Sequence, residues 1–196
     1  MANCKELQKN GNWWEDQLVN RCKFPIGPRN TWSNLAYVLA AAGVWPLSKT
    51  FAVMLGLLGI GSGLYHGFKT QWADRLDNAG MYAAFGSLTV WMVAPRTVFA
   101  PLAMVLLTGI LIWRFVYTKV PDNYETILMG AFSGISVVAV ALNGSPVAAL
   151  TSLVLMGVAY ISWWADQQRK FPWPKWGHAV WHLLTATAIY LLFTNR

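Results

Sequence analysis

The sequence predicts an all-α membrane protein, a polytopic bundle of seven transmembrane helices. Of its 196 residues, 56% are hydrophobic and only 12% are charged, which is too apolar a composition for a soluble domain of this length. Apolar segments approaching the ~20 residues that cross a bilayer core recur along the chain, divided by short polar pieces. Seven such segments can be marked, at residues 32–48, 51–68, 77–94, 98–117, 124–143, 147–165 and 176–193.

The chain divides into an amino-terminal arm, residues 1–31, and a seven-helix transmembrane domain, residues 32–196. The arm is polar, and we expect it to lie at the membrane interface. It lacks the basic start, apolar run and small-residue cleavage site of a signal peptide, so we expect it to be retained. The short linkers between the apolar segments predict one compact bundle.

The distribution of lysine and arginine predicts the orientation, because cytoplasmic loops carry an excess of these residues. With the amino terminus inside and the carboxyl terminus outside, Lys49, Arg96 and Arg196 lie outside. The other twelve of the fifteen then lie inside: Lys5, Lys9, Arg21, Lys23, Arg29, Lys69, Arg75, Arg114, Lys119, Arg169, Lys170 and Lys175.

The net charge of +7 indicates contact with anionic lipid headgroups. The sequence has no patch of basic and aromatic residues that would indicate nucleic-acid binding. The lipid bilayer is the expected partner, and the oligomeric state is left open. The membrane is the inner membrane of a bacterium or the endoplasmic reticulum or Golgi of a eukaryote.

Ionisable residues inside a membrane are costly and indicate a functional site. All three histidines lie at ends of predicted spans, His66 at the end of the second and His178 with His182 at the start of the seventh. The spacing of four places His178 and His182 on one helix face. Ser62 lies one turn before His66, and Asp77 lies just inside the third span.

The predicted topology places these five residues at the same side of the membrane, because the second span ends inside and the third and seventh begin there. Three imidazoles would hold a zinc ion and leave a fourth position for water, whose pKa zinc lowers to about 7. Asp77 would then transfer the water's proton to the leaving group. Ser62 would orient the water or donate a hydrogen bond to the developing oxyanion.

Each of these residues also has a purely structural interpretation. Histidines at helix ends often extend toward the interface, and Ser62 lies in a glycine-rich stretch typical of close helix packing. Asp77 is placed where an aspartate caps a helix, and Asp74 competes for its role on nearly the same face.

With these residues identified, the chain resembles the alkaline ceramidase family over most of its length. That family belongs to the CREST group of seven-helix membrane hydrolases, which includes adiponectin-type receptors. The resemblance implies a zinc-dependent amidase that cleaves the N-acyl bond of ceramide to a sphingoid base and a fatty acid. The matching pieces are Asn30-Thr31-Trp32-Ser33-Asn34, Ser62-x-x-x-His66, Asp77 within Trp72-Ala73-Asp74-Arg75-Leu76-Asp77, and His178-x-x-Trp181-His182.

Some members of that family carry a calcium-regulated arm with an acidic motif, which Trp13, Glu15 and Asp16 match in part. A calcium ion usually requires several carboxylates, and Asn12 and Gln17 stand where further acids would help. These residues give a calcium site weaker support than the histidines give zinc.

Four other functions are compatible with parts of the pattern. An intramembrane serine protease would use Ser62 with a histidine, but Ile60 departs from the expected Gly-x-Ser-Gly motif. A haem protein would place its ligands on facing helices, which His178 and His182 do not. A receptor, channel or transporter braced by structural zinc is the stronger alternative, as is a related hydrolase acting on another lipid.

Overall fold

A computed structural model of the protein describes residues 24–94, 97–116, 122–168, 170, 172–173 and 176–196. For residues 115–116 and 122–126 it describes the backbone only. The regular secondary structure in this part of the chain is all helical, and the part contains no β-strand. Trp13, Glu15 and Asp16, predicted to bind calcium, lie outside the described residues, as does most of the arm.

The helices follow one another with short connections. They are α1 (Pro28–Ser33), α2 (Leu35–Val44), α3 (Lys49–Phe68), α4 (Gln71–Val93), α5 (Ala100–Leu111), α6 (Asp122–Asn143), α7 (Pro146–Gln167) and α8 (Gly177–Thr194), and a π-helical turn (Ile112–Val116) continues α5.

Each of the seven predicted segments overlaps a helix, so the all-α prediction is confirmed for the described residues. The largest differences lie at the first and third segments. The first helical stretch begins at Pro28, whose fixed φ suits the first turn of a helix. α4 begins at Gln71, six residues before the predicted span, so that Asp74 and Asp77 both lie within the helix.

Two helices of the described chain, α3 and α7, are long and apolar enough to cross a membrane. Shorter apolar stretches run through Ala100–Arg114 and Ile127–Asn143. Serine caps begin both of the long helices, since Ser48 accepts a hydrogen bond from the backbone of Phe51 and Ser145 accepts one from Ala148. Seven membrane crossings and their orientation stay predictions.

The contact between α3 and α4 is close because of a glycine. A Cβ atom at Gly61 would lie 2.6 Å from the carbonyl oxygen of Leu76 and 3.1 Å from the backbone nitrogen of Asp77. No side chain fits there without displacing backbone. This contact places Asp77 beside the turn of α3 that carries Ser62.

The two ends of the bundle differ in character. At one end, Phe51, Trp91 and Phe193 form an aromatic stack, with ring centroids 4.1 and 4.6 Å apart. At the other end α3 finishes and α4 and α8 begin, and the three histidines lie there. The described end of the arm covers the end of α3, where Gly27 donates a backbone hydrogen bond to the carbonyl of His66.

Candidate metal centre

His66, His178 and His182 form one cluster in the structure. Their candidate ligand nitrogens all lie within 4.8 Å of one another. The ring centroids are 4.6 Å apart for His66 and His178, 5.1 Å for His66 and His182, and 4.6 Å for His178 and His182. All three side chains are buried. The prediction that these histidines lie close enough to hold a metal ion is therefore confirmed.

The spacing of the histidine nitrogens fits a single small ion. The Nε2 atoms of His66 and His178 lie 3.1 Å apart. Nitrogens held tetrahedrally about 2.0–2.1 Å from one zinc ion are separated by about 3.3 Å. Three neutral imidazoles suit zinc among other transition metals. The geometry is compatible with zinc and does not identify the metal.

The ring of His182 is held by Ser33 at the end of α1. Oγ of Ser33 lies 2.7 Å from Nδ1 of His182, and the same hydroxyl donates to the carbonyl of Asn30 at 3.1 Å. Nδ1 is thus occupied by a protein partner, and Nε2 is the nitrogen left for a metal.

The ring of His66 has a different partner, the amine of Lys69. Nζ of Lys69 lies 3.0 Å from Nδ1 of His66 and 4.0 Å from the ring centroid of Tyr65. An ammonium group only donates, so it leaves the hydrogen of a neutral His66 ring on Nε2. A metal at Nε2 requires that hydrogen on Nδ1 instead. Lys69 must therefore release Nδ1, or accept from it as a neutral amine, when His66 binds a metal.

The position of His178 is fixed through its backbone. Its amide nitrogen donates to Oδ2 of Asp166 at 3.1 Å, and Asp166 is completely buried on α7. A carboxylate at this place caps the first turn of α8, and its negative charge interacts favourably with the positive end of the helix dipole. The contact is tight, since a Cβ at Gly177 would lie 2.5 Å from the Cβ of Asp166.

Asp77 and Ser62 lie on adjoining turns of α4 and α3, where the two helices approach closely at Gly61. Asp77 is partly buried and interacts electrostatically with Tyr37, whose ring meets the ring of His182 edge-on at 6.0 Å. Ser62 is buried on α3, one turn before His66. Side chains on a helix lean toward its amino terminus, so the ring of His66 leans toward the turn of α3 that carries Ser62, and Asp77 leans toward the histidine end of the bundle.

Asp74 has different surroundings from Asp77. Burial raises the pKa of the Asp74 carboxyl, and the nearby charges of Lys69 and Arg75 oppose that rise. Asp74 lies one turn closer to the start of α4 and belongs to this charged group outside the predicted span. Asp77 is thus the aspartate that interacts with Tyr37.

A second polar contact joins α2 to α8 below the histidines. The hydroxyl of Tyr37 lies 2.5 Å from Oγ1 of Thr185. Thr185 donates its own hydrogen to the carbonyl of Trp181 at 2.7 Å, so Tyr37 is the donor to Thr185. This bond fixes the helix face that carries His178 and His182.

Sequence reasoning did not assign Lys69, Asp166 or Tyr37 to the site, and it named Ser33 only within a matching motif. The position of Lys69, three residues after His66, is a local clue to its place in the site. The contacts of Ser33 and Asp166 join separate helices and have no signal in local spacing.

Comparison with known proteins gave no match to a protein-family model and no significant match to a curated protein. The arrangement of the site is therefore the structural basis for inferring a function.

Proposed function

We propose that this chain is a zinc-dependent membrane amidase that hydrolyses the N-acyl bond of a ceramide-like lipid. The observation that carries the proposal is the convergence of three buried histidines, with Ser62 and Asp77 on the adjoining turns of α3 and α4. Three protein ligands with an open fourth position are typical of catalytic zinc, whereas structural zinc is usually closed by four. The choice of ceramide as substrate comes from the sequence resemblance.

The surface of the bundle supports a membrane setting with seven crossings. Large apolar side chains are exposed on helices besides α3 and α7, including Leu39 on α2, Leu106 on α5 and Leu142 on α6. Soluble monomers rarely expose continuous apolar surface. We propose that these side chains face lipid and that the histidine end faces the cytoplasm, where the inferred lysine and arginine excess lies.

Each residue of the site would have a separate role in amide hydrolysis. His66, His178 and His182 would hold the zinc ion, which when bound supplies Lewis-acid activation of water and of the amide carbonyl. Hydrolysis adds water across the C–N bond, so the carbonyl carbon gains the hydroxyl group and the nitrogen gains a proton. The Asp77 carboxylate accepts the proton that water loses and delivers it to the leaving amine. The Ser62 hydroxyl donates to the carbonyl oxygen as negative charge develops there.

The alternative is a receptor or transporter braced by structural zinc. In this alternative the histidines would bind zinc in the same way, and Ser62 and Asp77 would have no chemical role. Turnover separates the two functions.

The test is mass spectrometry of lipid products. Protein purified in detergent without chelators and loaded with zinc is incubated with a panel of ceramides, other lipid amides and glycerolipid esters. Release of a fatty acid together with a long-chain amine from ceramide is the expected result. Release of fatty acid from glycerolipid esters alone would indicate a related hydrolase with another substrate.

The control is the Asp77→Asn variant, loaded with zinc in the same way. It is expected to bind the metal and release no product. Stoichiometric zinc in the wild-type protein without any hydrolysis would overturn the enzymatic proposal and favour structural zinc.

A further inference from the structure

We infer that Ser33 is a positioning residue that selects the metal-binding tautomer of His182. The inference deepens the proposed function and rests on it for the identity of the metal. It stands on two hydrogen bonds of one hydroxyl group, whose partners come from the first and the last described helices of the chain.

A serine hydroxyl has one hydrogen and two acceptor lone pairs. Oγ of Ser33 lies 3.1 Å from the carbonyl oxygen of Asn30, which only accepts, so the hydroxyl donates its hydrogen in that bond. Toward Nδ1 of His182, at 2.7 Å, Ser33 must then act as the acceptor. The Asn30 backbone also makes a hydrogen bond with the His182 ring, and a carbonyl that cannot donate likewise favours a hydrogen on the ring nitrogen that faces it. Nδ1 of His182 therefore carries the ring hydrogen, and Nε2 has the lone pair that a metal requires.

The carbonyl of Asn30 is itself held in place. The Asn34 side-chain amide donates to it at 2.6 Å, and both asparagines are buried. Asn30, Ser33 and Asn34 thus form one turn in which each polar contact restricts the next. Since α1 also packs against α8, the turn holds the Ser33 oxygen on the side of His182 before any metal binds.

The role differs from that of Lys69 at the neighbouring ring. Ser33 leaves His182 ready for a metal, whereas the amine of Lys69 must change its contact with His66. A hydrogen-bond acceptor on the far nitrogen of a ligating histidine sets the ring orientation and raises its basicity. Loss of such a partner lowers metal affinity by about 10- to 100-fold.

The experiment compares the wild-type protein with Ser33→Ala and Ser33→Thr. Ser33→Ala removes the acceptor. Ser33→Thr keeps the hydroxyl and adds one methyl group at a side chain that is only partly buried. Zinc affinity is measured by competition with a chromogenic chelator. The tautomer of His182 is measured by ¹⁵N NMR of metal-free, histidine-labelled protein at fixed pH, which is practical because the chain has only 3 histidines.

The expected result is an Nδ1–H tautomer of His182 in the wild-type and Ser33→Thr proteins and a smaller fraction of it in Ser33→Ala, where only the Asn30 backbone remains as an acceptor. Zinc binding is expected to be about 10- to 100-fold weaker in Ser33→Ala alone. Equal zinc affinity and an unchanged tautomer in Ser33→Ala would overturn the inference. If the wild-type protein binds no zinc, the proposed function fails, while the metal-free NMR comparison still decides the role of Ser33. A mere folding defect would change the melting temperature without selecting one ring's tautomer.

Discussion

The amine of Lys69 lies 3.0 Å from Nδ1 of His66, on the side of the ring opposite the nitrogen that faces His178. A cation in this position competes with a metal in two ways. It repels positive charge, and it places the ring hydrogen on the ligand nitrogen. Lys69 is buried, and it terminates α3 in a left-handed backbone conformation, with φ of 52°. This conformation costs a residue other than glycine about 1–2 kcal/mol.

Replacement of Lys69 by methionine is expected to strengthen zinc binding at least about tenfold. A zinc ion on Nε2 would lie about 7 Å from Nζ of Lys69, across the ring, and at an effective dielectric constant of about 20 a unit charge repels a divalent ion at that distance by ~5 kcal/mol. This exceeds the ~1.4 kcal/mol of a tenfold change in affinity. Chelator competition measures the effect. Lys69→Arg keeps the cation and is the matched control, expected to bind as weakly as the wild type. Weaker binding by Lys69→Met would show that the lysine supports the metal site.

The histidines themselves give the second prediction, on metal content. The wild-type protein is expected to hold about one zinc ion per chain, and His182→Ala is expected to lose affinity by more than the ~10- to 100-fold that follows loss of an outer partner. Elemental analysis after chelator-free purification measures the content. Unchanged zinc in His182→Ala would exclude this cluster as the binding site.

The aspartates of α4 give the third prediction, on turnover. Asp77→Asn is expected to keep zinc and to lower the rate of hydrolysis by about 10²- to 10⁴-fold, the usual contribution of a general acid–base group. Asp74→Asn serves as the control, because its carboxyl lies among Lys69 and Arg75, and is expected to keep most of the activity. The opposite ranking of the two variants would assign proton transfer to Asp74.

The cap of α8 gives the fourth prediction, on stability. Asp166→Ala leaves the buried amide of His178 without its acceptor, which costs about 1–3 kcal/mol. Asp166→Asn retains an oxygen acceptor and is expected to lose less. Unfolding by denaturant in detergent micelles, followed for both variants, measures the difference. Equal stability of Asp166→Ala and the wild type would remove the proposed cap.

The sequence predicted the histidine cluster because its members lie at helix ends that topology brings to one side. The spacing of four residues predicts that His178 and His182 share a helix face, and the position of His66 at the end of the second predicted span places it at the same side. The hydrogen-bond partners of these histidines could not be predicted from the sequence. Ser33 and His182 are separated by 149 positions, and Asp166 is linked to His178 across a helix connection. Such contacts depend on the relative rotation of helices, which apolar patterning along a membrane helix hardly encodes.

The last prediction separates the metal ligands from the proposed proton carrier by way of Gly61. A methyl group at this position collides with the backbone of Leu76 and Asp77, so Gly61→Ala is expected to move α4 away from α3. The zinc ligands lie on α3 and α8, so zinc affinity should change little. Turnover should fall by about 100-fold, because displacement of a reacting group by about 1 Å has that effect.

Gly130→Ala is the matched control for this substitution, since Gly130 is exposed on α6 and a Cβ there meets no atom within 4 Å. Zinc affinity and the rate of ceramide hydrolysis are measured on both variants. Loss of zinc in Gly61→Ala would mean that the α3–α4 contact supports the ligand set itself. Full activity with normal zinc would mean that catalysis does not depend on the placement of Asp77 against α3. Reduced turnover with intact metal would locate the proton-transfer group on α4, independently of any substitution at a carboxylate.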